Sequence, residues 1–205
     1  MRRRTLVLAG ATMIAVLGAL SMHAQSVVPR SDVQPAPGPL LARAQAAART
    51  LSTDLMARLV KELEAGGPVR AIAVCSEEAR AIAARLSKDG VTIRRVTTRP
   101  RNPLAAPDAF EAEKLAALAA AHKPGVSAAD VVVVTGKPPH RTLRLLRPIT
   151  IGKACLACHG DAAKLDPAVR KLLATRYPHD PAVGYKEGDL RGAISVTVDE
   201  LEMLR

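Results

Sequence analysis

One pentapeptide constrains the fold of this chain more than any other feature of its sequence. Residues 155–159 are Cys-Leu-Ala-Cys-His, the C-x-x-C-H spacing by which c-type haem is attached to a polypeptide. At this spacing the sulfurs of Cys155 and Cys158 reach the two vinyl groups of one haem, and His159 is placed beneath the iron as the proximal ligand. The motif therefore predicts a fold that encloses one covalently attached haem c. A zinc site or a redox-active disulfide is the alternative that these residues allow.

The position of this motif in the chain argues against two common cytochrome architectures. Small electron-carrying cytochromes usually bear C-x-x-C-H near the mature N-terminus, and four-helix-bundle cytochromes bear it in the last helix. Here residues 160–205 follow the motif, and they include a predicted strand. We therefore expect a different fold around the haem.

The N-terminus has the pattern of an export signal. Arg2, Arg3 and Arg4 precede eighteen uncharged residues, 5–22, rich in Leu, Ala, Val and Met. A stretch of this length is also just sufficient for a membrane anchor. We therefore predict a signal peptide or N-terminal anchor at residues 1–24 and a periplasmic location, with an uncleaved N-terminus as the only membrane attachment. Residues 25–39 contain four prolines and are predicted to form a linker, followed by a folded domain at 40–205.

Apolar residues at three- and four-residue steps predict three helices in that domain. The first runs from Leu40 to just before Gly66, and the second from Pro68 to about Leu86. The third runs from about Asp108 to His122.

Four strands are predicted among and after these helices, at residues 91–98, 131–134, 141–147 and 190–198. The unbroken valine run at 131–134 is typical of a strand buried on both faces. Helices come first, and strands with short connections dominate the second half. This order predicts an α+β fold in which helices cover an antiparallel sheet.

The positive net charge would favour a nucleic-acid-binding function, but the amino-acid composition argues against it. The formal net charge is +11, but the chain has no Trp, two Tyr and one Phe. Folds that stack bases on aromatic side chains need more such residues than this. The basic residues are also scattered among acidic ones, so nucleic acid is not an expected partner.

The third cysteine, Cys75, has no protein partner once Cys155 and Cys158 hold a haem. It lies on the predicted inward face of the second helix, in line with Ile72 and Ala79. The residues leave two interpretations open: a small buried hydrophobe, or a thiolate that is the distal iron ligand. Other candidates for the sixth ligand are Met56, Met203, His122, His140 and His179.

Several sequence blocks resemble a known family. They are AVCSEEA at 73–79, RNP at 101–103, PDAFE at 107–111, CLACHG at 155–160 and YPHDPAVGYKEGDLRGAISV at 177–196. On these blocks, residues 51–198 resemble the PAS-like c-type haem sensor family, periplasmic mono-haem domains long catalogued as a domain of unknown function.

The resemblance implies a PAS-like fold, with covering helices that enclose one covalently attached haem against an antiparallel sheet. It also implies His/Cys ligation, which here means His159 proximal and Cys75 distal. Similar proteins tend to have Asn and Trp after the RNP block, where this chain has Ala105 and Phe110. The detailed conformation of that loop is therefore not implied.

An anionic thiolate ligand stabilises ferric iron and lowers the reduction potential. A six-coordinate iron also has no open position for a substrate. We therefore expect redox or gas sensing, or low-potential electron transfer, with a small gas or a redox protein as partner. The rival is a haem enzyme that acts on sulfur compounds or peroxide with Cys75 as a reactive thiol. Arg101, Arg147 and Arg191 are the candidate partners for the haem propionates.

Overall fold

A four-stranded antiparallel sheet forms the centre of the domain. The computed structural model describes residues 38–205, so the predicted signal or anchor and linker residues 25–37 lie outside the described residues. The strands are β1 (Val91–Val96), β2 (Val131–Thr135), β3 (Thr142–Thr150) and β4 (Leu190–Asp199), in the spatial order β1-β4-β3-β2. The predicted α+β class with an antiparallel sheet is confirmed.

Helices surround this sheet. They are α1 (Gly38–Ala73), α2 (Ala79–Leu86), α3 (Ala109–Ala121), α4 (Leu156–His159), α5 (Pro167–Arg176) and α6 (Glu200–Met203). A π-helical turn at Val74–Glu78 joins α1 to α2, and 3-10 turns lie at Pro103–Ala105 and Lys153–Cys155. Within residues 38–205, none of the helices combines the length and the apolar character needed to cross a membrane.

Both faces of the sheet are covered. On one face the register brings Ile93, Val196 and Leu145 side by side, and these residues pack with the buried face of α1 and α2. On the opposite face Leu146 packs against Leu115 of α3. Successive side chains of a strand point to opposite faces, so the neighbours Leu145 and Leu146 belong to different clusters.

The predicted break between the first two helices is confirmed. Gly66 and Gly67 have non-helical backbone angles inside α1, and Gly67 has a positive φ of 68° that favours glycine. Pro68 follows at the start of the next helical stretch. Apolar periodicity did not predict the π-helical turn. Although such a turn adds one residue to the helix, Cys75 and Ala79 still pack against the apolar cluster beneath α1 and α2, so the spacing of apolar residues does not reveal it.

The expectation that residues 131–134 form a strand buried on both faces is wrong. β2 is an edge strand, and all four valines are only half-buried. It pairs with β3 alone, so one edge has no strand neighbour in the described sheet. A run of β-branched residues reports β propensity, but the strand order decides the burial.

Two strand ends also differ from the prediction, for local reasons. β1 ends at Val96 rather than at 98, because the Thr97 N–H bonds to the carbonyl oxygen of Ala105. β3 continues to Thr150 rather than ending at Arg147, since Pro148 remains in register with Ala193.

Candidate functional site

The cysteines and histidine singled out in the sequence line one cavity. Cys75 reaches it from the π-helical turn, and Cys155, Cys158 and His159 from the segment after β3. The other walls are mainly apolar and come from α1, β3 and β4. Their side chains include Leu55, Leu59, Leu63, Ile72, Ile149, Ile151 and Ile194.

His159 is buried and held in one orientation. It is the last residue of the short helix α4 and is only 8% exposed. Nδ1 lies 2.6 Å from the carbonyl oxygen of Ala182, and since a carbonyl only accepts, Nδ1 carries the proton. Burial, with Arg101 and Arg191 nearby, lowers the pKa of His159 to about 3. The imidazole is therefore neutral at ordinary pH, and its Nε2 lone pair is free to bind a metal.

Arg101 ties this proximal segment together. Its Nε donates to Asp180 Oδ2 at 2.8 Å, and each side chain of the pair is only 9% exposed. Its Nη2 donates to the carbonyl oxygens of Cys158, at 2.5 Å, and of Ala182, at 3.2 Å. Because Ala182 also accepts from His159, Arg101 and Asp180 fix the carbonyl that orients the imidazole.

The thiols differ in their surroundings. All three cysteines are half-buried, and burial raises the pKa of Cys158 to about 11, while nearby Arg101 acts in the opposite direction. All three sulfur-bearing side chains line the same cavity. None of the three cysteines forms a disulfide. Within residues 38–205, no group of three or more His, Cys, Asp or Glu side chains is arranged to hold a single metal ion.

Two further guanidinium groups border the cavity, those of Arg95 and Arg191. Arg191 donates to Thr97 Oγ1 at 2.8 Å and to the carbonyl oxygen of Arg99 at 3.2 Å. Burial lowers the pKa of Arg191, and the positive charges of Arg95 and Arg101 lower it further. Neither Arg95 nor Arg191 forms a salt bridge with a carboxylate in the described part of the chain, although the charge of Asp180 raises the pKa of Arg191. Asp180 is paired with Arg101, so the site keeps a net positive charge.

The structure brings together most, but not all, of the predicted residues. Cys75, Cys155, Cys158, His159, Arg101 and Arg191 line the cavity. Arg147 does not, because it pairs with Asp130 at 2.7 Å and lies 3.4 Å from the carbonyl oxygen of Gln45 on α1. Among the alternative ligands, Met56 borders the cavity, whereas Met203, His122, His140 and His179 do not.

Sequence reasoning missed Arg95, Asp180 and Tyr185. Arg95 had a detectable signal, because Val91, Ile93 and Arg95 alternate on one side of β1 and a charge there faces the helices. Tyr185 is buried, and its ring meets that of His159 edge-on at 6.2 Å. No local pattern identifies Asp180, since its partner Arg101 is 79 residues away.

A family model matches residues 14–199, nearly the whole length of the chain. The chain belongs to the Tll0287-like family. Its described core agrees with the crystal structure of the cyanobacterial haem protein Tll0287, with a TM-score of 0.57 and 23% sequence identity. That match covers 80% of this chain and 98% of the other, and it establishes a shared fold. No curated protein matches the chain significantly.

Proposed function

We propose that this Tll0287-like protein is a periplasmic mono-haem c-type protein with a PAS-like fold, acting in redox or gas sensing or in low-potential electron transfer. Cys155 and Cys158 attach the haem, His159 is the proximal ligand and Cys75 the distal ligand. The observation that carries the proposal is the convergence of these four residues, from separate elements, on one apolar cavity. The haem content of the structurally similar Tll0287 supports it.

The residues around the cavity fit a haem. Two thiols stand at the attachment spacing, and a buried neutral imidazole presents Nε2. The walls are apolar, as a porphyrin requires, and the uncompensated guanidiniums suit the two carboxylates that a haem carries. When bound, the haem supplies an iron that alternates between ferric and ferrous states and can exchange an axial ligand.

The three predicted propionate partners have different surroundings. Arg101 is already neutralised by Asp180, and Arg147 pairs with Asp130 away from the cavity. Arg191 is the best candidate of the three, because it borders the cavity and lacks a carboxylate partner among residues 38–205. Arg95, which the sequence analysis did not select, is the second guanidinium in this position.

The assignment of role follows from the ligand set. A cysteine thiolate from Cys75 would favour the ferric state and lower the reduction potential, and Cys75 and His159 together would leave no open position for a substrate. This arrangement favours sensing or electron transfer over turnover of a substrate. The export pattern at residues 1–24 supports the periplasmic location, with membrane attachment only through an uncleaved N-terminus.

Covalent attachment is tested by haem staining of the denatured protein after expression in a host that attaches c-type haem. We expect the stain to stay with wild type and to vanish from the double variant Cys155→Ala/Cys158→Ala. The variant Cys75→Ala is the matched control and keeps the stain, because its sulfur makes no bond to the porphyrin. A wild-type protein that contains zinc and no haem would contradict the proposal.

Ligation by Cys75 is tested by low-temperature EPR of the ferric protein. We expect a low-spin thiolate spectrum in wild type that is lost in Cys75→Ala and kept in Met56→Ala. An unchanged spectrum in Cys75→Ala would make that residue a packing cysteine. A high-spin wild-type spectrum would show an open iron and favour the enzyme that acts on peroxide or sulfur compounds.

A further inference from the structure

We infer that Arg95 is a positioning residue for Cys75. Its guanidinium holds the π-helical turn through the carbonyl oxygen of Cys75 and thereby sets where the sulfur of Cys75 lies in the cavity. The inference rests on the proposed function, because Arg95 would act through Cys75, the proposed distal ligand.

The π-helical turn needs partners from outside its own helix. The turn at Val74–Glu78 interrupts the regular hydrogen-bond ladder, and backbone carbonyls at such an interruption are satisfied by other donors. Arg95 Nη2 donates to the carbonyl oxygen of Cys75 at 2.5 Å. Asn102 Nδ2 approaches the next carbonyl, that of Ser76, at a longer 3.5 Å. Residues of β1 and of the loop after it therefore hold the segment that presents Cys75.

The strand determines where the Arg95 side chain goes. Arg95 pairs with Ile194 and lies on the same face of the sheet as Ile93, the face covered by α1 and α2. A rigid central sheet therefore presents the donor, while the acceptor lies in an irregular turn. Loss of the donor would let the turn relax toward another helical arrangement, and the Cys75 sulfur would move with it.

Arg95 also contributes charge to the site. It has no carboxylate partner in the described part of the chain, and its positive charge acts on both His159 and Arg191. A purely electrostatic role would be shared with Arg191, which carries the same charge beside the same cavity. Among the described residues, Arg191 bonds to Thr97 and Arg99 and not to the Cys75 turn. Arg191 is therefore the matched comparison that separates positioning from charge.

The experiment compares Arg95→Met, Arg95→Lys and Arg191→Met in the haem-loaded full-length protein. The readouts are the ferric low-spin EPR spectrum and the rate at which carbon monoxide binds to the reduced protein. For Arg95→Met we expect a heterogeneous EPR spectrum and carbon monoxide binding faster by roughly ten- to a hundredfold, as expected for loss of a hydrogen bond from a charged donor. Arg95→Lys, which keeps a donor, should restore part of both. Arg191→Met removes a proposed propionate partner, so we expect its EPR signals to shift, but as a single species, because the Cys75 turn keeps its donor.

Three results would overturn the inference. They are an Arg95→Met protein with unchanged EPR and carbon monoxide kinetics, equal effects of Arg95→Met and Arg191→Met, or no rescue by lysine. If Arg95→Met does not fold, Asn102→Ala tests the same turn and should change both readouts in the same direction by less. A wild-type spectrum without a thiolate signature would instead refute ligation by Cys75. Failure of the proposed function can therefore be distinguished from failure of the inference about Arg95.

Discussion

Replacing Asp180 by Asn is expected to lower the free energy of unfolding by about 3–5 kcal/mol, because it leaves a buried guanidinium without its counter-charge. Asp180 and Arg101 are each only 9% exposed, and their atoms lie 2.8 Å apart. The substitution keeps the shape of the side chain but removes its charge. Arg101 would then remain desolvated while still bonded to the carbonyls of Cys158 and Ala182.

Denaturant unfolding of the haem-loaded protein measures this effect. The matched control is Asp89→Asn, which removes the partner of Arg43 from an exposed pair with side chains 64% and 38% accessible. Exposed pairs contribute about 0–1 kcal/mol, so the control should unfold almost like wild type. Equal losses in the two variants would contradict the claim that burial makes the Arg101–Asp180 pair critical.

The Asp180→Asn variant should also disturb His159. Asp180 Oδ1 accepts from the Ala182 N–H at 2.9 Å, and the Ala182 carbonyl accepts from His159 Nδ1. Partners of this kind orient a metal-binding imidazole and tune its basicity. A change in the ferric EPR spectrum is therefore expected together with the loss of stability.

Replacing Leu145 by Ala is expected to lower the free energy of unfolding by about 2–5 kcal/mol, the range for a leucine removed from a closed core. Leu145 is completely buried and lies in the middle of β3, opposite Val196, beneath α1. Its neighbours are strands and a long helix, so the cavity left behind would collapse only partly. Chemical denaturation of the haem-loaded protein gives the magnitude.

Leu146→Ala should cost a similar amount. Leu146 is also completely buried, but it packs on the opposite face of the sheet with Leu115 of α3. Val126→Ala is the control, since Val126 is 58% exposed and its truncation should change the free energy by less than about 0.5 kcal/mol. A small effect of Leu146→Ala would contradict a sheet covered on both faces.

Local patterns were sufficient to predict the helices before β3 and the four strands, but not the π-helical turn or α5. Apolar spacing placed the helices, and Gly66, Gly67 and Pro68 marked the break in α1 because glycine and proline act on the backbone of their own residue. The capping box of Asp108 and Glu111 starts α3 at the residue after Asp108, where the sequence predicted the helix. Cys155, Cys158 and His159 lie within five residues of one another, so their spacing alone predicted a haem-attachment motif.

The surroundings of the site depended on partners far apart in the chain. The sequence alone offered Arg101, Arg147 and Arg191 as equal candidates for binding the propionates. In the structure, Arg101 pairs with Asp180 and Arg147 pairs with Asp130. Arg191 lies beside the cavity and forms no salt bridge with a carboxylate of the described residues. Arg95 reaches the carbonyl of Cys75 across 20 residues of sequence. No local pattern records such pairings.

By itself, the sequence predicted three helices, four strands and the haem interpretation of C-x-x-C-H, because each of these depends on residues within a few positions of one another. Only the tertiary structure decided that Cys75 shares a cavity with His159, that β2 lies at the sheet edge, and which arginine keeps an uncompensated charge. The physical reason is that burial and charge pairing are properties of the packed chain. A guanidinium is neutralised or left free by whichever carboxylate the fold brings within reach.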